Sequence, residues 1–159
     1  MIFVTVGTMY PFDRLIKALD EIRRRGLITD PIFAQIGRGQ YRPQHMEWAR
    51  ILPRDEWETK IRECSAMIGH AGVGTLLGAI AHRKPLLVVP RRRCFGEHVN
   101  DHQVQTARKF ASRRLVLAAF SVDQIVPTLE QLADFRPAVR PRQPVQLIER
   151  LQKFLKNQY

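Results

Sequence analysis

The sequence predicts an α/β domain built on a doubly wound, mostly parallel sheet. Three observations carry that expectation. Short apolar runs (Ile2 to Val6, Ile32 to Ile36, Ala66 to Ile68, Leu86 to Val89) alternate with longer segments of helical period. Glycine or polar turns follow the ends of those runs. No internal repeat or low-complexity tract breaks the alternation. A chain of 159 residues with 45% hydrophobic content suits one domain with a real core.

Strand one is expected over Ile2 to Val6, ending in Gly7-Thr8. Helix one runs from about Phe12 to Arg25, with Leu15, Ile16, Leu19 and Ile22 on one face and Gly26 as its stop. Asp30-Pro31 turns the chain into strand two, Ile32 to Ile36, which ends at Gly37. Residues 38 to 47 read as polar loop, and Trp48 to Leu52 as a short third strand closed by Pro53. Asp55 is placed to cap a helix whose Trp57, Ile61 and Cys64 share one side. Next come the strand Ala66 to Ile68, the turn Gly69 to Thr75 and a helix from Leu76 to Ala81. His82-Arg83-Lys84 suits that helix's C-terminal dipole, and Pro85 ends it. Leu86 to Val89 is a buried strand, residues 91 to 100 a polar loop, Asp101 to Ala111 a helix and Leu115 to Ala118 a strand. Ser121 and Gln124 read as a capping box for a helix to about Ala133. The α/β unit is thus expected over 1–133. Residues 134–144 form a Pro/Arg-rich connector. Residues 145–159 hold an amphipathic helix that acts as a lid on this domain or as a partner interface.

Composition narrows the function. No apolar run approaches the roughly 20 residues of a membrane helix, and the first residues lack a signal peptide's basic start and long apolar core. Cys64 and Cys94 match no metal spacing and read as free thiols of a reducing compartment. The net charge of +11 calls for an anionic partner: nucleic acid, membrane surface or phosphorylated ligand. The basic residues are scattered, with neither an aromatic-rich binding strand nor a basic recognition helix, so nucleic acid is not expected.

The chemistry concentrates at strand ends. Gly69-His70-Ala71-Gly72-Val73-Gly74-Thr75 joins strand to helix, the arrangement that seats a phosphate on a helix N-terminus. Neither the dinucleotide fingerprint nor a P-loop is present. In a doubly wound sheet the loops after Val6, Ile36, Ile68 and Pro90 share the carboxyl edge, where ligands bind. Gly96-Glu97-His98-Val99-Asn100-Asp101-His102-Gln103 adds carboxylate and amide groups of the kind that grip sugar hydroxyls. His98 and His102 stand four apart, but no third metal ligand accompanies them.

The segments Phe3-Val4-Thr5-Val6-Gly7-Thr8 with Pro11 to Ile16, His70 to Thr75, Lys84 to Arg91, and Gly96-Glu97-His98 with Asp101-His102-Gln103 occur in an order that resembles the C-terminal domain of glycosyltransferase family 28. Within it they resemble the small stand-alone subunits of bacterial exopolysaccharide glycosyltransferases, relatives of the eukaryotic subunit that adds a second N-acetylglucosamine to a dolichol-linked precursor. The resemblance covers about residues 1 to 133. It implies the nucleotide-sugar half of a GT-B enzyme, inverting, with a UDP-sugar (glucuronate, galactose, glucose or N-acetylglucosamine) as co-substrate and no metal or cofactor. It implies a diphosphate seat at His70, Ala71, Gly72, Val73, Gly74 and Thr75, and a cleft floor of Gly7, Thr8 and Gly37. Glu97, His98, Asp101, His102 and Gln103 would contact ribose and sugar, and Arg91, Arg92 or Arg93 an anionic donor group. Glu97 and His98 are weak candidates for catalysis, since the resemblance places the base on a separate, membrane-anchored acceptor subunit. The acceptor would be a lipid-linked saccharide, and the chain would sit in the cytoplasm against the membrane's inner face, its charge favouring anionic lipid. The alternatives are a non-enzymatic nucleotide-sugar module that regulates a transferase, a fragment of another UDP-sugar enzyme such as a 2-epimerase, or a nucleic-acid binder.

Overall fold

A computed structural model describes residues 1–138. Six parallel strands form one sheet in the order β3-β2-β1-β4-β5-β6. They are β1 (Ile2–Thr5), β2 (Ile32–Gln35), β3 (Glu47–Ala49), β4 (Ala66–Gly69), β5 (Leu86–Val88) and β6 (Leu117–Ala118). The connecting helices are α1 (Asp13–Arg24), α2 (Arg54–Glu63), α3 (Val73–Ala81), α4 (His102–Ser112) and α5 (Ile125–Leu132).

Each central strand is buried on both faces, which is why these segments read as unbroken apolar runs. Alternate residues serve opposite layers. Val4, Ile68 and Leu87 pack with Leu15, Ile16 and Leu19 of α1 and Ile125 and Leu132 of α5. Phe3, Met67, Leu86 and Val88 pack with Ile61 of α2, Leu76 and Ile80 of α3 and Phe110 of α4. At about 25 cal/mol per Å² of apolar surface removed from water, these two layers are the main stabilising term. β1 pairs with β2 on one side and β4 on the other, so the winding reverses between β1 and β4. In open α/β sheets ligands bind outside the carboxyl ends of the strands at such a switch point.

Several boundaries differ from expectation. The helix after the glycine turn starts at Val73, so Val73, Gly74 and Thr75 form its first turn, with Gly72 extended at the N-cap. A first turn makes few internal bonds, so its residues carry little helical signature. The N-cap of α2 is Pro53, and Asp55 lies within the first turn, where its charge suits the dipole. No capping box forms after β6. Residues Val122–Gln124 make a 3-10 turn, and the Gln124 side chain accepts from Phe120 N–H instead. Asp101 occupies the N-cap position of α4, yet its carboxylate accepts from Arg93 N–H at 2.8 Å. Asn100 Oδ1 accepts from His102 N–H in its place. The polar loop after Gly37 is tied to α1 by two carboxylates. Asp13 accepts from Gln40 and Tyr41 N–H. Asp20 accepts from Tyr41 Oη–H and from Gln44 and His45 N–H. Most of the expected connector and all of the expected C-terminal helix fall at 139–159, outside the described residues.

Candidate functional site: a cleft at the strand reversal

Two loops meet at the switch point. After β1 the chain turns at Gly7, whose φ of +72° is left-handed. After β4 it turns at His70, and the ring settles over Gly7: a Cβ there would lie 2.8 Å from His70 Nε2. Gly72 meets the same ring, with its own hypothetical Cβ only 2.0 Å from His70 Cε1. Two glycines therefore make the slot that holds one imidazole. Gly37, at the end of β2, backs onto Gly7, for its Cβ would fall 2.4 Å from the Gly7 carbonyl oxygen.

Beside this ring α3 begins. The first helical bond runs from Leu76 N–H to the Gly72 carbonyl at 3.0 Å, and no side chain caps the turn. The N–H groups of Val73, Gly74 and Thr75 precede that bond, the arrangement that attracts an anion. Gly74 has nothing within 4 Å of a hypothetical Cβ, so no packing reason requires glycine there. A ligand lying close over the backbone does supply such a reason.

The third wall is the segment after β5. Arg91 is buried and turned inward. Its Nη2 donates to the Val6 and Tyr10 carbonyls at 2.6 Å each, and its Nη1 lies 3.1 Å from His70 Nδ1. Burial draws its pKa down to about 10. Of the three arginines expected to offer a charge to an anionic donor group, Arg91, Arg92 or Arg93, the first aims its Nη donors at main-chain carbonyls and the His70 ring. Arg92 and Arg93 are the basic residues nearer the surface here.

Glu97, expected as a candidate for catalysis, is engaged by its own scaffold. It is 6% exposed, and both carboxylate oxygens are engaged. Arg14 Nε and Nη2 donate to them at 2.7 and 2.9 Å, and Arg92 N–H adds a third bond at 3.0 Å. The residue pins the loop after β5 to α1. Phe95 covers Arg14 at 4.7 Å. His98 lies at the mouth, its ring 5.0 Å from Tyr10 and 4.4 Å from His102. Burial, then the Arg91 charge, holds its pKa below the ordinary range. Gln103, on α4, is buried, and its side chain bridges Arg91 N–H and His70 Nδ1.

The structure thus brings Gly7, Gly37, His70, Gly72, Arg91, His98, His102 and Gln103 into one connected wall, with the bare first turn of α3 beside it. Thr8, Val73 and Gly74 are exposed at that edge, and Ala71 is buried behind it. Asp101 turns its carboxylate to Arg93 instead. Sequence reading missed Arg14 and Tyr10 as parts of this wall. Both belong to the segment after β1, and a parallel sheet's switch point was the available signal. Among the described residues no group of three or more His, Cys, Asp or Glu could hold a metal ion.

Comparison with known proteins gives the family. The model of the glycosyltransferase family 28 C-terminal domain matches residues 1–157. The chain belongs to that family. The match extends past Ala133. This family 28 domain is 31% identical over 117 residues to the human UDP-N-acetylglucosamine transferase subunit ALG13. That similarity covers 68% of the chain and 10% of the relative, so the chain spans about a tenth of it. In fold it is similar to the NMR structure of ALG13, with a TM-score of 0.63 and 18% identity, covering 94% of this chain and 93% of that one. It is also similar to the glycosyltransferase SnogD of Streptomyces nogalater, with a TM-score of 0.58 and 20% identity. There it covers 84% of this chain but 34% of the other. The sheet is the Rossmann-like C-terminal half of a GT-B glycosyltransferase fold. Among the described residues no helix is long and apolar enough to cross a membrane.

Proposed function

We propose that this chain is the donor-binding subunit of a two-component inverting glycosyltransferase. The observation that carries the reading is the uncapped first turn of α3 beside the His70 ring at the sheet's switch point. A nucleoside diphosphate laid along Gly72–Thr75 meets three backbone N–H groups and the positive end of the helix. Gly74 leaves it room. The same donors stabilise the charge that develops on the leaving diphosphate as the C1–O bond to UDP breaks. The new C1–O bond forms to an acceptor hydroxyl, whose proton passes to a base. Glu97 is held by Arg14, which supports a base supplied by another chain.

The donor is a UDP-sugar, and no resident metal or cofactor takes part. The name of the human relative makes UDP-N-acetylglucosamine the first donor to test, ahead of UDP-glucuronate, UDP-galactose and UDP-glucose. Gln103, His98 and His102 are proposed to face ribose and sugar, with Thr8, Gly7 and Gly37 beneath them. The acceptor half comes from a membrane-anchored partner, and the acceptor is a lipid-linked saccharide of polysaccharide synthesis. The chain is held at the cytoplasmic face through that partner. Similarity to a protein named as a subunit supports this.

The test has two parts. Thermal unfolding with each UDP-sugar is expected to show a concentration-dependent rise in Tm for one of them, since a ligand that binds only the folded state stabilises it by mass action. Reconstitution with the acceptor subunit is expected to transfer sugar, with turnover lost in His70→Ala. Undiminished turnover in that variant leaves a non-enzymatic nucleotide-sugar module as the better reading.

A further inference from the structure

Gln103 and Arg91 converge on one atom. Gln103 Nε2 lies 3.3 Å from His70 Nδ1, and Arg91 Nη1 lies 3.1 Å from it. A guanidinium has only N–H groups to offer, so Arg91 must donate. The amide is oriented too. Arg91 N–H points at Gln103 Oε1 at 3.2 Å, and a backbone N–H needs an acceptor. Turning the amide over would set two donors against each other there. Gln103 Nε2 therefore also donates, and His70 Nδ1 can only accept.

We propose that Arg91 is a positioning residue of the site: with the Gln103 amide it holds His70 as the Nε2–H tautomer and so keeps a hydrogen-bond donor over Gly7, at the cleft. The inference rests on the donor-site reading only for what that N–H meets. Arg91 acts through both its backbone and its side chain. Its other branch, Nη2, anchors on the Val6 and Tyr10 carbonyls, so the guanidinium cannot swing away without breaking the turn after β1. The Phe12 ring covers it at 5.1 Å. Its Nε is a buried N–H without an acceptor. An arginine kept in place with one donor unsatisfied is held for something its other donors do.

The surroundings are consistent with a ring that stays neutral. Arg91 faces it from the segment after β5, His98 from further along that loop and Gln103 from α4, while Gly7 and Gly72 bring no side chain. Glu97 and Tyr10 lie nearer Arg91 and act on it. Burial, and then the Arg91 charge, takes the His70 pKa down to about 3. The donor is then present at every pH at which a cytoplasmic enzyme works.

Long-range proton–nitrogen NMR on the full chain labelled with 15N-histidine reads the tautomer directly. His70 is expected to show the Nε2–H pattern from about pH 5 to 8 with no titration, against an ordinary midpoint near 6.5. An Nδ1–H pattern, or a midpoint near 6.5, overturns the proposal. Gln103→Glu keeps an acceptor for Arg91 N–H but puts a carboxylate against Nδ1. It is expected to draw a proton to Nδ1 and bring the ring's titration into the measured range. Arg91→Lys cannot reach His70, Val6 and Tyr10 together, and its ring is expected to exchange between tautomers. A pure Nε2–H pattern in the folded lysine variant overturns the role of Arg91. UDP binding is then measured separately, with a roughly tenfold weaker Kd expected for Arg91→Lys at pH 7.5, the scale of one hydrogen bond to a charged group. If wild-type protein holds the tautomer but fails to bind UDP, the donor-site reading falls and the positioning inference stands. If the tautomer changes while UDP affinity does not, the positioning role is overturned and the donor site stands.

Discussion

Arg14 and Glu97, 83 residues apart, meet in a two-point ion pair, with Nε to Oε1 at 2.7 Å and Nη2 to Oε2 at 2.9 Å. The pair staples the loop after β5 to the start of α1, and Arg14 Nη2 adds a bond to the Pro90 carbonyl at 3.1 Å. Arg14→Ala strands a carboxylate whose side chain is only 8% exposed. Removing one partner of such a pair costs about 2–4 kcal/mol, because the other charge remains in a poorly solvated place. Urea denaturation should show that loss. Arg14→Lys should recover only part of it, since an ammonium cannot donate in a two-point fork.

Gly74 and Gly72 should behave differently on substitution by alanine. Gly74→Ala places a methyl in open space within α3. Helix propensity then favours the variant by up to about 1 kcal/mol. Its UDP affinity should fall roughly tenfold, the scale of an overfilled contact. Gly72→Ala drives a methyl to 2.0 Å from His70 Cε1, and both stability and affinity should fall. Thermal melts with and without UDP distinguish the two patterns. Equal affinity of Gly74→Ala and wild type for UDP would remove the diphosphate from this turn.

Acid should weaken the fold through His70. Its pKa is about 3 in the folded protein and near the ordinary 6.5 once unfolded. Between those values the unfolded chain binds the extra proton, so stability rises with pH across the window and is complete above it. One such group contributes a slope of up to about 1.4 kcal/mol per pH unit. Urea midpoints should therefore drop between pH 6.5 and 4, and less steeply in His70→Gln. His98 and His102, also held below their ordinary values by burial, add in the same direction.

Asp20 should prove the anchor of the loop after Gly37. It is 2% exposed. Burial alone would raise its pKa, yet hydrogen bonds from Tyr41, Gln44 and His45 outweigh that and lower it. Asp20→Ala leaves the Gln44 and His45 N–H groups without their acceptor and should cost about 2–4 kcal/mol by urea denaturation. Hydrogen exchange should rise at Gln44 and His45 before it rises in β1.

The sheet was legible because its central strands are buried on both faces and their residues are almost all apolar. Strand ends then located Gly7, Gly37 and His70, since a switch point follows from topology alone. Side-chain direction was not legible. Arg91 and Glu97 have the residue types of a ligand site, yet Arg91 turns to the carbonyls of Val6 and Tyr10 and Glu97 to Arg14. A charged residue in a cleft loop meets either a ligand or its own scaffold, and spacing does not choose between them. Asp101 went the same way, serving Arg93 N–H instead of α4. The start of α3 was missed because a first turn of valine, glycine and threonine has little helix propensity.

Arg91 holds the turn after β1 and the turn after β4 with its guanidinium, and the first turn of α4 through its backbone N–H and the Gln103 amide. Three segments distant in sequence are thereby set before any ligand arrives. Little chain entropy then remains to be lost on association. Free and UDP-loaded forms should share nearly the same backbone around His70. On the proposed two-chain reading, any large rearrangement is left to the approach of the acceptor-bearing chain.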